Sequence, residues 1–276
     1  MTKIKTNAAQ YADAIIHIPL RLPLSWRIAH KVKRVGKLFG RIDDFDWDDY
    51  NTHYRAEFEW SSRFFTFDFD QVDYKIIDGR IYLLGDCKPL HLTHRCVWES
   101  IVNLPSVSSI CEMGVGCGFF IIGLKRLMAQ QIRYSAYDLN PRQLQFFEEL
   151  WPVEYKEIAP EILDLTKASI PEVKRTDLVY ESTVLMHIQR EKEYQAALRN
   201  FVLSGNKFAV FMDHWIRHDY FGDLNALIRD SSMKMEKGSL YTYDSGGNIA
   251  VILSKEAPLG APYQPLTDAS ILKKYL

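Results

Sequence analysis

The chain has 276 residues, with 34 Lys and Arg against 35 Asp and Glu and a formal net charge of −1. That balance offers no basic footprint, so no nucleic-acid partner is expected. With 47% hydrophobic and 25% charged residues it reads as one large globular domain, or a domain with an appendage. Cys87, Cys96, Cys111 and Cys117 form no C-x-x-C pair and no His/Cys metal spacing. No run reaches the ~18 apolar residues that a membrane span needs. The short apolar stretch 14–20, bracketed by Asp13 and Arg21, is a poor signal peptide. Free thiols in a cytoplasmic, reducing setting and no metal site are therefore expected.

Residues 1–86 lack the strand and helix alternation seen later and read as an appendage, a lid or acceptor-side cap. Ser25 is a candidate cap for a helix to about Phe39, with Ile28, Val32, Val35 and Phe39 on one face. Six Lys and Arg and no acid lie between Trp26 and Arg41. A basic amphipathic helix of this kind suits a solvated face on a packed helix, or peripheral contact with an anionic membrane near 26–41. Asp43, Asp44, Asp46, Asp48 and Asp49 follow at once and favour the first reading. Residues 45–85 are rich in aromatics, which either pack the appendage or line an acceptor pocket. Tyr74–Ile77 and Ile81–Leu84 flank Asp78-Gly79, a hairpin signal.

A helix with Val97, Trp98, Ile101 and Val102 on its apolar side is expected after Pro89, with Thr93 or His94 near its start. The stretch Ser109-Ile110-Cys111-Glu112-Met113-Gly114-Val115-Gly116-Cys117-Gly118 reads as a strand entering a glycine turn. Phe119, Ile122, Leu124, Leu127 and Met128 then mark a helix. A second strand runs from Ile132 to Tyr137 and ends in Asp138, and Asn140-Pro141 opens a helix. A third strand ends near Ile162-Leu163, before Asp164. A fourth spans Thr176–Glu181 and a fifth Lys207–Met212, separated by a helix to about Phe201. Phe221, Leu224, Leu227 and Ile228 mark a further helix. Ser239–Tyr243 and Ile249–Leu253 form a hairpin around Asp244-Ser245-Gly246-Gly247-Asn248. Residues 256–276 read as a mostly irregular tail.

Alternating strands and helices imply a parallel sheet covered on both faces, with the hairpin adding an antiparallel edge. Ligands of such sheets lie beyond the carboxyl ends of the strands. Glu112, Asp138, Asp164, Glu181 and Asp213 all stand there in succession. The dinucleotide fingerprint G-x-G-x-x-G places its third glycine one residue later than Gly118, where Phe119 stands.

The acid-x-Gly-x-Gly-x-Gly pattern resembles motif I of class I S-adenosylmethionine (SAM) dependent methyltransferases. The run Asp177-Leu178-Val179 through Val184-Leu185-Met186-His187-Ile188 resembles the segment after strand four in small-molecule and sugar methyltransferases. Met212-Asp213-His214-Trp215-Ile216-Arg217-His218 is similar, more loosely, to enzymes of bacterial surface-polysaccharide or glycan assembly. The resemblance spans about residues 88–255. It implies a Rossmann-like sheet of seven strands in a SAM-binding domain, 87–255, between the appendage 1–86 and the tail 256–276.

For the cofactor site the resemblance implies that Gly114, Gly116 and Gly118 pass close to the methionine part, with Glu112 supporting its ammonium side. It implies that Asp138 accepts the ribose hydroxyls and that Asp164 and Leu165 lie by the adenine. Glu181 is a further cofactor contact. His187 is the candidate general base, since an ordinary imidazole pKa of about 6.5 suits proton removal near neutrality. A purely structural role for it stays open. Arg217 and His218 suit a phosphate or carboxylate on the acceptor. Tyr180, Glu181 and Ser182 are alternative acceptor contacts, and His94 and Arg95 are candidates at the methionine carboxylate. The expected acceptor is a hydroxyl or phosphate of a sugar or glycan. A natural-product O- or N-methyltransferase is the alternative. An NAD-dependent oxidoreductase and a non-catalytic SAM-binding protein are the alternatives of other classes.

Overall fold

The computed structural model describes residues 74–83, 92–128, 131–167, 175–233, 235 and 238–275. The helix expected near 26–41, the membrane contact expected of it and the aromatic stretch before residue 74 lie outside the described residues. Strands β1 (Tyr74–Ile77) and β2 (Arg80–Leu83) pair antiparallel around Asp78 and Gly79. Both turn residues have positive φ, 49° and 72°, the geometry a two-residue hairpin with right-twisted strands requires.

After helix α1 (Leu92–Val102) come β3 (Ser109–Met113), α2 (Phe119–Leu127), β4 (Arg133–Asp138), α3 (Pro141–Leu150), α4 (Pro152–Ile158) and β5 (Glu161–Ile162). Then follow β6 (Thr176–Ser182), α5 (Glu191–Ser204), β7 (Gly205–Met212), α6 (Tyr220–Arg229), β8 (Ser239–Asp244), β9 (Ile249–Ser254) and β10 (Gln264–Pro265). The order across the sheet is β10-β8-β9-β7-β6-β3-β4-β5. The five strands from β5 to β7 are parallel, and β9, β8 and β10 add antiparallel pairings. This is the Rossmann-like sheet that the resemblance implies, with one strand more than the seven expected. The extra strand is β10, from the stretch expected to be irregular. Its Tyr263 is buried and donates to the Ser100 carbonyl at 2.6 Å, and Leu266 and Leu272 join the core. Helix α4 was also not expected. Pro152 interrupts the apolar spacing of α3 and restarts a helix at its own first position.

Strand parity sorts the core into two layers. Cys111, Met113, Val179, Ala209, Phe211, Val251 and Leu253 face α5 and α6, meeting Tyr194, Leu198, Phe201 and Leu224. Ile110, Leu178, Tyr180, Phe208, Val210, Ala250 and Ile252 face the other way, onto Val97, Trp98 and Ile101 of α1 and Phe119 of α2. Each fully buried Val, Leu, Ile, Met or Phe among them contributes roughly 1.5–3 kcal/mol of transfer free energy. Strand order reverses between β3 and β6, so the crevice outside their carboxyl ends is where a ligand of this sheet binds. No helix among the described residues is long and apolar enough to cross a membrane.

Candidate active site

The glycine loop joins β3 to α2 at that crevice. Gly114, Gly116 and Gly118 have φ of 76°, 53° and 81°, a left-handed backbone that other residues adopt at a cost. The amides of Gly114 and Val115 both donate to the Tyr137 carbonyl, at 2.7 and 3.0 Å, which moors the loop to the end of β4. A Cβ on Gly114 would stand 2.3 Å from Val184 Cγ2, and one on Gly118 would stand 2.3 Å from Phe147 Cε2. The protein's own packing thus demands two of the three glycines. Helix α2 starts at Gly118 with no side-chain cap.

Asp138 closes β4 beneath this loop. Its Oδ2 accepts the Gly116 amide and its Oδ1 the Asn140 amide, each at 2.8 Å. Burial raises its carboxyl above the usual range, against the pull of the Asn140, Gly116 and Leu139 amides. A carboxylate has about four acceptor positions, so these amides do not exhaust it and acceptor capacity remains for a ligand. Asn140 itself caps α3 by accepting the Arg142 amide at 2.9 Å, so one turn fixes both the helix and the acid. Leu139, between them, leaves an apolar side chain 43% exposed. It was not singled out in the sequence. A large apolar residue directly after the strand-end acid was the available signal.

Glu112 is placed differently from expectation. It is buried, on the face of the sheet opposite Met113, and its Oε2 accepts the Tyr180 hydroxyl at 2.6 Å. Burial holds its carboxyl well above the usual range, against the Tyr180 hydroxyl, with Asp138 adding repulsion and the Ile121 amide pulling down. It braces the start of α2 from below. Tyr180 is correspondingly fully buried, which removes it as an acceptor contact. Asp164 closes its own turn, accepting the Thr166 amide at 2.9 Å and hydroxyl at 2.6 Å, and pairs with Lys167. Partial burial pushes its carboxyl up, but the Thr166 donors and Lys167 outweigh this and hold it low. Leu165 packs on the core, and its carbonyl accepts the Asn200 amide group at 2.7 Å.

Beyond β6 the chain turns through Thr183, whose φ is 60°, into a 3-10 turn at Leu185–His187. Glu181 Oε2 accepts the Val184 amide at 2.8 Å, and Asp213 Oδ2 accepts the Met186 amide at 3.0 Å. His187 is half-buried at the end of this turn. Glu181 is fully buried, and its Oε1 has no hydrogen-bond partner.

The loop after β7 divides its polar residues. His214 and Arg217 are exposed, and Arg217 forms no ion pair among the described residues. His218 lies apart from them. Its ring stacks on Tyr194 with centroids 3.6 Å apart and a 5° interplanar angle. Burial lowers its pKa, opposed by backbone contacts to Leu185 and Ile188. The structure therefore places His218 behind the 185–188 turn, while His214 and Arg217 open to solvent. On the other side, Arg95 donates to Glu99 at 2.8 Å, and the His94 ring sits 4.4 Å from that of Phe119, the first residue of α2. No group of His, Cys, Asp and Glu among the described residues forms a metal cluster.

No protein-family model matches the sequence, and no curated protein sequence matches it. Solved structures similar to the chain include a TehB-like SAM-dependent methyltransferase from Corynebacterium glutamicum, with 18% identity, 61% of this chain and 90% of that one covered, and TM-score 0.42. The N-methyltransferase NodS from Bradyrhizobium japonicum, in complex with S-adenosyl-L-homocysteine, has 15% identity, 59% and 86% covered, and TM-score 0.43. An O-methyltransferase family protein from Burkholderia thailandensis has 10% identity, 61% and 55% covered, and TM-score 0.44.

Proposed function

We propose that the chain is a SAM-dependent methyltransferase acting on a hydroxyl or phosphate of a sugar or glycan-type acceptor, in a cytoplasmic setting. The observation that carries the cofactor reading is Asp138, a buried carboxylate at the switch point that clasps the Gly116 amide and keeps acceptor capacity for a ribose diol. Leu139 offers an apolar surface for a flat ring beside it, and Asp164 keeps Oδ2 as an acceptor for an exocyclic amine, shared with Lys167. The glycine loop contributes backbone without side chains.

Bound there, SAM supplies an electrophilic methyl group on a sulfonium. The chain's part is to align the acceptor oxygen in line with that carbon, which removes most of the entropic cost of the encounter. His187 would take the proton that the acceptor hydroxyl releases. His214 and Arg217, exposed on the β7 loop, would hold an anionic group of the acceptor.

Calorimetry with SAM tests the cofactor reading. Each charge-assisted hydrogen bond that Asp138 accepts from a ribose hydroxyl stabilises by roughly 1.5–3 kcal/mol. Asp138→Ala should therefore weaken binding about 100-fold or more, and Asp138→Asn by less, since the amide keeps one acceptor oxygen. Unchanged affinity in Asp138→Ala would overturn the assignment. Methyl transfer to phosphosugars, free sugars and phenols then ranks the acceptors, and indifference to phosphate counts against the glycan-type reading.

A further inference from the structure

Two buried acids lie side by side where β6 and β7 end. The strands pair Glu181 with Phe211 and Ser182 with Met212, so Asp213 follows one residue beyond the register of Glu181's neighbour. Both carboxyls are nearly sealed from solvent, at 0% and 4% exposure. Each binds the same short segment from a different strand. Glu181 holds the Val184 amide, and Asp213 holds the Met186 amide while also accepting the Tyr220 hydroxyl at 2.6 Å and the His214 amide at 2.8 Å. The segment they hold includes Thr183, whose left-handed backbone persists only where its surroundings impose it. The same segment carries His187, and its Val184 side chain occupies the place that a Cβ on Gly114 would need.

We propose that Glu181 and Asp213 are positioning residues that carry a single negative charge between them and, through the Val184 and Met186 amides, press the 183–187 turn against the glycine loop. The turn's relevance to methyl transfer rests on the function proposed above, while the pairing of the acids does not. Two ionised carboxylates cannot share a dry site at neutral pH, because little solvent screens their repulsion. Burial and the neighbouring Asp213 hold Glu181 well above the usual carboxylate range, against the Val184, Leu185 and Met212 amides. Burial pushes Asp213 up to about 7, against the Tyr220 hydroxyl, the His214 and Met186 amides and the Arg217 charge. Tyr220 and Tyr194 face the pair from α6 and α5 as neutral phenols. The unpartnered Oε1 of Glu181 is tolerable in a carboxyl that is neutral, and costly in one that is charged.

Amide chemical shifts of Val184 and Met186, followed by NMR from pH 5 to 9 in the full chain, test this directly. An amide bound to a carboxylate reports that group's ionisation. The Met186 amide should titrate near neutrality. In Glu181→Gln its midpoint should stay within about half a unit, because a neutral amide replaces an acid that is already neutral when Asp213 ionises. In Tyr220→Phe it should rise, because a donor to the Asp213 carboxylate is lost. The second variant serves where the first does not fold. A Met186 amide that does not titrate in this range, a midpoint that falls by a unit or more in Glu181→Gln, or one that stays the same in Tyr220→Phe overturns the proposal. In the methyl-transfer assay the pH profile should carry a limb that moves with that midpoint. A limb that stays put while the amide midpoint moves removes the coupling to His187 and overturns that part. A protein whose amides titrate as stated but which never binds SAM supports the acid pair and refutes the methyltransferase reading.

Discussion

Gly118→Ala against Gly246→Ala separates two penalties that the glycine loop combines. Both glycines have nearly the same backbone, φ 81° and 83°. A side chain in the left-handed region costs about 1–2 kcal/mol at either site. What the new Cβ meets differs completely. At Gly246 nothing lies within 4 Å, whereas at Gly118 three atoms of the Phe147 ring lie at 2.3, 2.4 and 2.6 Å. Phe147 is fully buried in a cluster with Ile121, Ile122, Ala136 and Ile158. Overpacking of this kind costs a further ~1–3 kcal/mol. At roughly 2–4 °C per kcal/mol for a domain of this size, Gly118→Ala should melt about 2–12 °C below Gly246→Ala. Thermal unfolding followed by circular dichroism measures the difference. Equal melting temperatures would show that Phe147 yields freely and that the loop is held by its backbone alone.

The remaining predictions concern charge. Glu99 is fully buried and accepts from Arg80 at 3.1 Å, the Ile81 amide at 2.7 Å, Arg95 at 2.8 Å and the Tyr243 hydroxyl at 2.9 Å, tying β2, α1 and β8 together. Removing one partner of a buried ion cluster costs about 3–5 kcal/mol, and water reaching Arg80 and Arg95 sets Glu99→Ala near ~3. Urea unfolding measures it, and a loss under about 1 kcal/mol would contradict the hub. Asp213, pushed up to about 7 from an ordinary 3.8, keeps a proton when folded that the unfolded chain releases. Its favourable contribution is complete below about pH 4 and is lost as pH rises through 7. Asp213→Asn, which does not titrate, should therefore gain stability relative to the parent between pH 5 and 8, as read from melting temperatures. A constant difference across that range would refute the shift.

Much of this chain could be read locally. A cap such as Asn140 before Pro141, or Asp78-Gly79 in a tight turn, acts within a few residues, and each stands where its chemistry requires. The alternation of strands and helices, the hairpin at Ser239–Ser254 and the row of strand-end acids follow from the same short-range rules. Helix α4 escaped because Pro152 breaks a periodic pattern without ending helical structure. Strand β10 escaped because a two-residue edge pairing with Tyr241 and Thr242 leaves no pattern in its own residues.

The direction each acid faces was decided only by tertiary structure. Sequence placed Glu112, Asp138 and Glu181 alike at strand ends. Register sets Glu112 opposite Tyr180 across β3 and β6 and so gives its carboxyl to a buried phenol, while the Gly116 amide reaches Asp138 from the loop above. His218 and Arg217 are neighbours in sequence, yet one stacks on a tyrosine of α5 and the other stands in solvent. The amino-acid order by itself determined the sheet, its glycine loop and the crevice between β3 and β6, because these arise from local periodicity and turn chemistry. Which polar groups open into that crevice depends on partners 22 and 68 residues away, and only the packing of the whole domain brings those partners together.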